Sequence, residues 1–416
     1  MSSSPAPIVP RSSRETARDP LLVLFVDDDA CVLGGLADAL RRRPAQWEAR
    51  FALGGQAGVD VIGAQRVDVV VSDLSMPGVD GVDVLTRARE AQPDAVRIVL
   101  SGGAEPGAAL AAGRVAHRYL AKPFREDDLR GAIERAWRLR SLLREEGWRR
   151  AAGGVMALPS CPRIYTELTE LAVDPDATAT DAAAIVERDI AMTAKVLQLV
   201  NSAFFGLGRP ISRIPEAIHY LGLNTLRALV LHAGAFAAFA PTRPIEGFDI
   251  GELQRRSHLA ARIAQRIAPD AAGRDEAFTA GMLHAVGLLV LAQSDPFEFA
   301  EAIADARRAG APLHAAEYAR LGSSHAELGA YVLGIWGLPD TVVEGVAHQH
   351  HVDRLVGPGL DVPLAVHVGA ALAGALVPGA VAAGAGRVDI LTLDAAGVAD
   401  RLPAWRALAA AEAARG

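Results

Sequence analysis

Four stretches of this chain end on side chains that could act together. The apolar run 21–26 is followed by Asp27–Asp28–Asp29, the run VVVS by Asp73, the run IVL by Ser101 and the run YLA by Lys122. Clustered carboxylates repel one another unless a hard cation joins them. Mg²⁺ is the ion expected, because it takes a few carboxylate oxygens and keeps several waters. A carboxylate can also attack phosphorus and form an acyl phosphate. The metal and an ammonium would offset charge on the transferring phosphoryl group, and a hydroxyl can bond a phosphoryl oxygen once it is in place. Lys122–Pro123 is a candidate cis peptide that would aim the lysine inward.

Gathering these residues in one pocket requires strand ends that converge. Short apolar runs at 21–26, 50–53, 67–71, 96–100 and 118–120 alternate with segments of helical length such as 32–43 and 82–91. Three of the runs are β-branched and bounded by Asp or Gly, which suits strands buried on both faces. The alternation predicts an α/β doubly wound, five-stranded parallel sheet over residues 21–124, with function at the carboxyl ends of the strands. After Pro123 the strand signal stops. Residues 125–153 read as the last helix of this domain and a helical linker. A single helix is predicted over 125–150, with Ala132, Ala136, Leu139 and Leu143 forming one apolar stripe. Residues 154–376 read as an all-α domain punctuated by Pro and Gly, 377–416 as an Ala/Gly-rich appendage, and 1–20, rich in Ser, Pro and Arg, as a disordered tail.

Composition excludes several classes. Over 416 residues the chain is 51% hydrophobic and 22% charged, with a formal net charge of -7. That is the profile of a globular protein with two domains, and it offers no strongly basic nucleic-acid surface. Cys31 and Cys161 form no CxxC spacing, so a reducing, cytoplasmic setting is expected. No signal peptide is read. The uncharged stretch 364–386 approaches the ~20 residues needed to span a bilayer, but its Ala/Gly content and its His367 and Pro378 predict a buried helix and loop. The arginines at 41–43 and from 135 to 150 read as solvated helix faces. No P-loop, dinucleotide fingerprint or basic helix-turn-helix is present.

Residues 21–140 resemble the receiver domain of bacterial two-component response regulators, through FVDDD, SDLSMPGVDG, LSG and LAKPF in order. The resemblance implies that Asp73 is the phospho-acceptor. It implies that Asp27 and Asp28, with Asp73 and the Ser75 carbonyl, hold Mg²⁺, and that Ser101, Lys122 and Tyr119 are the switch hydroxyl, the conserved lysine and the rotating aromatic. The phosphoryl donor would be a sensor histidine kinase or a phosphotransfer protein.

The second half, with LPSCP, VNSAFFG and EAIHYLG, resembles the HDOD domain, a helical output module related to the HD phosphohydrolases. Those hydrolases hold metals through histidines and an adjacent His-Asp pair, and two-metal sites need bridging carboxylates. Here His258, His284, His325 and His348 stand at family-like places, followed by His350, His351 and His367. The His-Asp pair instead reads His284–Ala285, and Ala370 stands where a later aspartate is expected. The reading is therefore a non-enzymatic output domain that binds an unidentified downstream protein or a second copy of this chain, with no nucleic acid and no membrane partner. The alternative is a receiver-regulated metal-dependent phosphohydrolase with an unusual ligand set.

Overall fold

Extended segments form at each of the short apolar runs, three of which are β-branched. In the computed structural model these are β1 (Leu21–Asp27), β2 (Trp47–Leu53), β3 (Val69–Asp73), β4 (Val96–Ser101) and β5 (Arg118–Ala121). They pair in the order β2-β1-β3-β4-β5, every pair parallel. The five residues of β3 are all buried, as expected of a parallel strand covered on both faces. The structure describes residues 21–42, 47–101, 115–140, 142–143, 146–155, 158–201, 210–231, 237–238, 244–355, 359–377, 379 and 387–415. The tail 1–20 and Phe204 and Phe205 lie outside them, as does the side chain of Ser101.

Helices α1 (Ala30–Arg42), α2 (Gly55–Ala64) and α3 (Gly81–Ala91) connect the first four strands. Asp80, which reads as a turn residue, is the N-cap of α3: its side chain accepts from Asp83 N, and Asp83 returns the bond to the Asp80 N–H. This reciprocal capping fixes where the helix starts. Two helices follow the sheet, α4 (Glu126–Arg140) and α5 (Glu146–Gly154), where one long helix was expected. The apolar stripe is nonetheless buried as a unit, with Ala132, Ala136, Leu139 and Leu143 all in the core. The stripe packs on the second domain as well as on the sheet: a Cβ added to Gly334 would lie 2.3 Å from Leu139 Cδ1.

The second domain contains α6 (Pro162–Val173), α7 (Ala179–Val186), α8 (Ile190–Val200), α9 (Ile214–Leu221), α10 (Leu223–Leu231), α11 (Ile250–Ile267), α12 (Ala271–Leu283), α13 (Val286–Ser294), α14 (Pro296–Ala309), α15 (Leu313–Leu321), α16 (His325–Ile335), α17 (Asp340–Ala347) and α18 (Val362–Leu376), with α19 (Ile390–Ala395) and α20 (Leu402–Ala413) beyond. A short parallel pair, β6 (Pro159–Ser160) with β7 (Ala237–Ala238), departs from the purely helical expectation. The LPSCP stretch is tied down there. Buried Asp189 accepts from Cys161 N at 2.8 Å, from Met192 N at 2.8 Å and from Gln254 Nε2 at 3.1 Å. Asn201 of the VNS stretch closes a loop by a reciprocal pair with the Ile211 backbone at 2.6 and 2.7 Å. Both stretches therefore have a structural explanation. The stretch Gly273–Ser294 is apolar and long enough to cross a membrane, yet 83% of its apolar window is buried within the fold. Helix α18, in the uncharged stretch that begins at 364, is also a core helix.

Candidate functional site

The carboxyl ends of β1, β3 and β5 bring three charged groups together. Lys122 Nζ lies 2.6 Å from Asp73 Oδ1 and 2.7 Å from Asp27 Oδ2. Asp27 is 1% and Asp73 7% exposed, so the ammonium joins two carboxylates that have little water around them. Their other oxygens are held by backbone: Asp27 Oδ1 accepts from Asp29 N at 2.9 Å and Asp73 Oδ2 from Ser75 N at 3.2 Å. Burial works against the Lys122 charge, but the hydrogen bonds it donates to Asp27 and Asp73 outweigh it and hold the ammonium above the ordinary lysine pKa. The Lys122–Pro123 peptide is cis. Gly81 lets α3 begin directly under the site, since a Cβ there would lie 2.0 Å from the Asp73 carbonyl oxygen.

Asp28 is exposed beside this pair, and Ser101 ends β4 opposite Ala121. Tyr119 is 7% exposed and packs in the apolar cluster containing Val70, Val84 and Val99. The converging carboxylates suit a hard divalent cation, with Lys122 now at the point of convergence as a cationic stand-in. Asp27, Asp28, Asp73 and the Ser75 carbonyl fit that chemistry by donor type.

A second cluster lies between α11, α13, α15, α16 and α18, around a cavity of about 160 Å³. His284 and His325 line it, as do Ala285 and Ala370. The other two histidines singled out in the sequence do not. His258 bonds the Glu187 carbonyl at 3.3 Å and meets the Phe278 ring edge-on, while His348 follows the last turn of α17. His350 and His367, also named from the sequence, do line it, and His314, which was not, joins them from the N-terminus of α15.

The ring orientations follow from the partners. His284 Nδ1 donates to the Gly281 carbonyl at 2.6 Å, His367 Nδ1 to the Gln349 carbonyl at 2.7 Å, and His325 Nδ1 to Glu317 Oε2 at 2.7 Å. His350 Nε2 meets His325 Nε2 at 3.0 Å. Burial pushes His284 down to about 3 and His314 down to about 4, and holds His350 and His367 below the ordinary imidazole range. These rings are neutral at pH 7. Among the described residues no three His, Cys, Asp or Glu side chains converge closely enough to hold a metal ion as they stand, neither these histidines nor Asp27, Asp28 and Asp73, where Lys122 lies between the two buried carboxylates.

Two features were missed in the sequence. Arg256 lines the cavity at 4% exposure. Its signal was a charge on the apolar stripe of α11, between Leu253 and Ala260. Arg97 was a charge inside the apolar run of β4, and it is fully buried. Its guanidinium donates to the carbonyls of Val115 at 2.7 Å, Ala95 at 3.0 Å and Gly153 at 2.7 Å. The buried His117 ring accepts from Arg97 N at 3.1 Å and donates to Gly153 O at 2.9 Å. Arg135, expected on a solvated face, instead bonds Leu338 O at 2.8 Å and Asp340 at 3.0 Å. Trp148 Nε1 donates to Leu321 O at 2.9 Å. The two domains thus meet through polar as well as apolar contacts.

Comparison with known proteins places both halves. The family described as "Response regulator receiver domain" matches residues 23–134, and the "HDOD domain" family matches residues 158–352. An uncharacterized protein of Treponema pallidum (strain Nichols) is 26% identical over 195 residues, 47% of this chain and 38% of that one. The transcriptional regulatory protein GlrR of Escherichia coli (strain K12) is 32% identical over 133 residues, 32% of this chain and 30% of that one. The chain therefore spans only about a third of the length of these curated relatives. Among solved structures, the MmoQ response regulator of Methylococcus capsulatus str. Bath is 25% identical, with 60% of this chain and 98% of that one covered at a TM-score of 0.48. Receiver domains generally bind Mg²⁺ at their phosphorylation site and interact with histidine kinases or phosphotransfer proteins. This chain is a receiver domain followed by an HDOD domain, the combination typical of a two-component response regulator.

Proposed function

We propose that the chain accepts a phosphoryl group on Asp73 from a sensor histidine kinase or a phosphotransfer protein, and that the HDOD domain acts without catalysis as a protein-interaction module. The observation that carries the first half is the position of Lys122 Nζ, 2.6 Å from Asp73 Oδ1 and 2.7 Å from Asp27 Oδ2. An Asp73 oxygen forms the bond to phosphorus as the donor's phosphorus–nitrogen bond breaks. Lys122 then exchanges a carboxylate partner for a phosphoryl oxygen. Mg²⁺ bound by Asp27, Asp28, Asp73 and the Ser75 carbonyl would supply further charge compensation. The Ser101 hydroxyl and Tyr119 are proposed to respond to the new oxygens. β5 leads from Lys122 back through Tyr119 to His117, whose carbonyl meets Gln198 Nε2 of α8 at 3.5 Å, so the site lies a few residues from the second domain.

The non-catalytic reading of the HDOD domain is supported by Ala285 and Ala370, which line the histidine cavity where bridging carboxylates would be needed. The test is mass spectrometry after treatment with acetyl phosphate and Mg²⁺. Wild type is expected to gain one phosphoryl group and Asp73→Ala none. Equal labelling of both proteins would place the acceptor elsewhere. Nucleotide turnover that His284→Ala abolishes would replace the interaction module with an enzyme.

A further inference from the structure

The five-stranded sheet has one covered edge and one open edge. The second domain covers β5: the His117 carbonyl accepts from Gln198 Nε2 at 3.5 Å, and a Cβ added to Gly337 would lie 3.2 Å from Arg118 Nε. β2 ends the sheet on the other side, and among the described residues no strand pairs with its outer edge. Natural edge strands are commonly blunted by lysine, proline or a bulge. β2 reads WEARFAL, with no lysine and no proline. It pairs with β1 residue for residue, from Leu21 with Trp47 to Asp27 with Leu53, so it carries no bulge. Phe51 is 38% and Leu53 59% exposed. The Trp47 and Phe51 rings both meet Phe25 on one face of the sheet. Glu48 and Arg50 alternate onto the other face, half-exposed and 3.3 Å apart.

We infer that β2 pairs antiparallel with β2 of a second copy of this chain, about a two-fold axis at Ala49. A two-fold contact is self-complementary, each residue meeting in the other copy what its own copy meets in return. In this register Glu48 lies opposite Arg50 of the second copy and Trp47 opposite Phe51, and each pair forms twice. Opposite charges and aromatic rings facing each other across strands are stabilising, whereas like charges are not. An axis moved to Glu48 or to Arg50 would set like charges face to face. An axis at Phe51 would oppose Arg50 to Ala52 and leave both charges unpaired. Backbone bonds supply the affinity and the side chains fix the register. A strand pair of 7 residues a side is small beside interfaces of about 1,200–2,000 Å², so the dimer is weak and forms as concentration rises. Leu53 at the end of β2 pairs with Asp27 of the acidic pocket, so one continuous sheet would join two phosphorylation pockets. The inference depends neither on phosphorylation of Asp73 nor on what the HDOD domain binds.

The test is sedimentation velocity of the unphosphorylated full chain over rising concentration, where a reversible dimer is expected. Arg50→Glu and Glu48→Arg each set like charges opposite one another and should weaken self-association at least about tenfold. An equimolar mixture of the two variants makes every cross-strand charge pair opposite again, so it should dimerise as wild type does. Both side chains are half-exposed, so neither change disturbs the core. Hydrogen exchange on wild type keeps the test open without any variant: amides within 47–53 should gain protection as concentration rises. A chain that stays monomeric throughout, a dimer that neither variant weakens, a mixture that fails to restore it, or protection confined to other segments would overturn the inference.

Discussion

The acidic edge of the receiver and the histidine cavity of the HDOD domain are both clusters of titratable groups, and they balance charge in opposite ways. In the first, two buried carboxylates stay close because an ammonium lies 2.6 and 2.7 Å away. In the second, Ala285 and Ala370 line the cavity, burial holds His284, His314, His350 and His367 below the ordinary imidazole range, and the buried carboxylate nearby, Glu317, accepts from His325 at 2.7 Å. Buried charges persist only when they are paired, bound to ions or converted to their neutral forms. The receiver uses the first solution, and His284, His314, His350 and His367 of the cavity use the third.

The largest expected effect tests the receiver side of that contrast. Lys122→Met would leave Asp27 and Asp73 facing each other with no cation between them. Incorporation of phosphoryl from acetyl phosphate should fall about a hundredfold, the scale of removing one charge-stabilising group from a reacting centre. Mass spectrometry over time measures it. A rate within a factor of about two of wild type would mean that Lys122 only holds the resting pocket together.

A second change would remove the contrast. Ala285→Asp combined with Ala370→Asp places two carboxylates in a cavity whose histidines already donate their Nδ1–H groups to Gly281, Gln349 and Glu317. Such outer partners orient metal-ligating imidazoles. Zinc affinity, read by competition with a chelating dye, should rise about a hundredfold over wild type. If wild type already binds zinc as tightly as the double variant, the alanines are not what separates this domain from a metal site.

The sequence made the two clusters unequally legible. The receiver pocket could be read because strand ends of a parallel sheet converge on one edge, so four apolar runs ending in Asp, Ser or Lys already specified a site. The histidine cavity lacked such a rule. Helices can pack in many ways, and sequence position alone could not tell that His314 and His350 would stack at 4.1 Å while His258 and His348 would not line the cavity. The family resemblance had singled out Ala285 and Ala370, and both line the cavity. Arg97 and Arg256 were each visible as a charge within an apolar pattern. Their roles depend on carbonyls and cavities contributed by distant segments, such as Gly153 for Arg97.

Acid should separate the two clusters. Burial lowers His284 from the ordinary 6.5 to about 3; the Gly281 carbonyl opposes this and Arg256 adds to it. The folded protein then binds fewer protons than the unfolded chain, so the stabilisation is complete above about pH 6.5 and declines as pH falls toward 3. By pH 5 the loss from His284 alone is about 2 kcal/mol. Lys122 has the opposite sign. Its pKa is raised, so its contribution is complete below the unfolded lysine value and is lost only above it. Unfolding midpoints from pH 7 to 5 should therefore drop for wild type and drop less for His284→Asn. Equal slopes would remove His284 from the account.

The smallest effect concerns how the two regions are joined. Gly153 and Gly154 are neighbours at the end of α5, and an added Cβ would meet different surroundings at each. At Gly153 it would lie 2.3 Å from the Pro93 carbonyl oxygen, and at Gly154 nothing lies within 4 Å. Gly153 O is also the acceptor for both Arg97 Nη2 and His117 Nε2. Gly153→Ala should therefore cost about 1 kcal/mol, because overpacking against backbone exceeds the gain in helix propensity. Gly154→Ala should gain about 0.5 kcal/mol by restricting the unfolded chain. Denaturant midpoints compare the pair. Opposite signs would show that close packing of α5 on the receiver, rather than the flexibility of a glycine linker, holds the domains in this arrangement. Stabilisation by both alanines would mean that the contact with Pro93 gives way easily and that the helix alone sets the join.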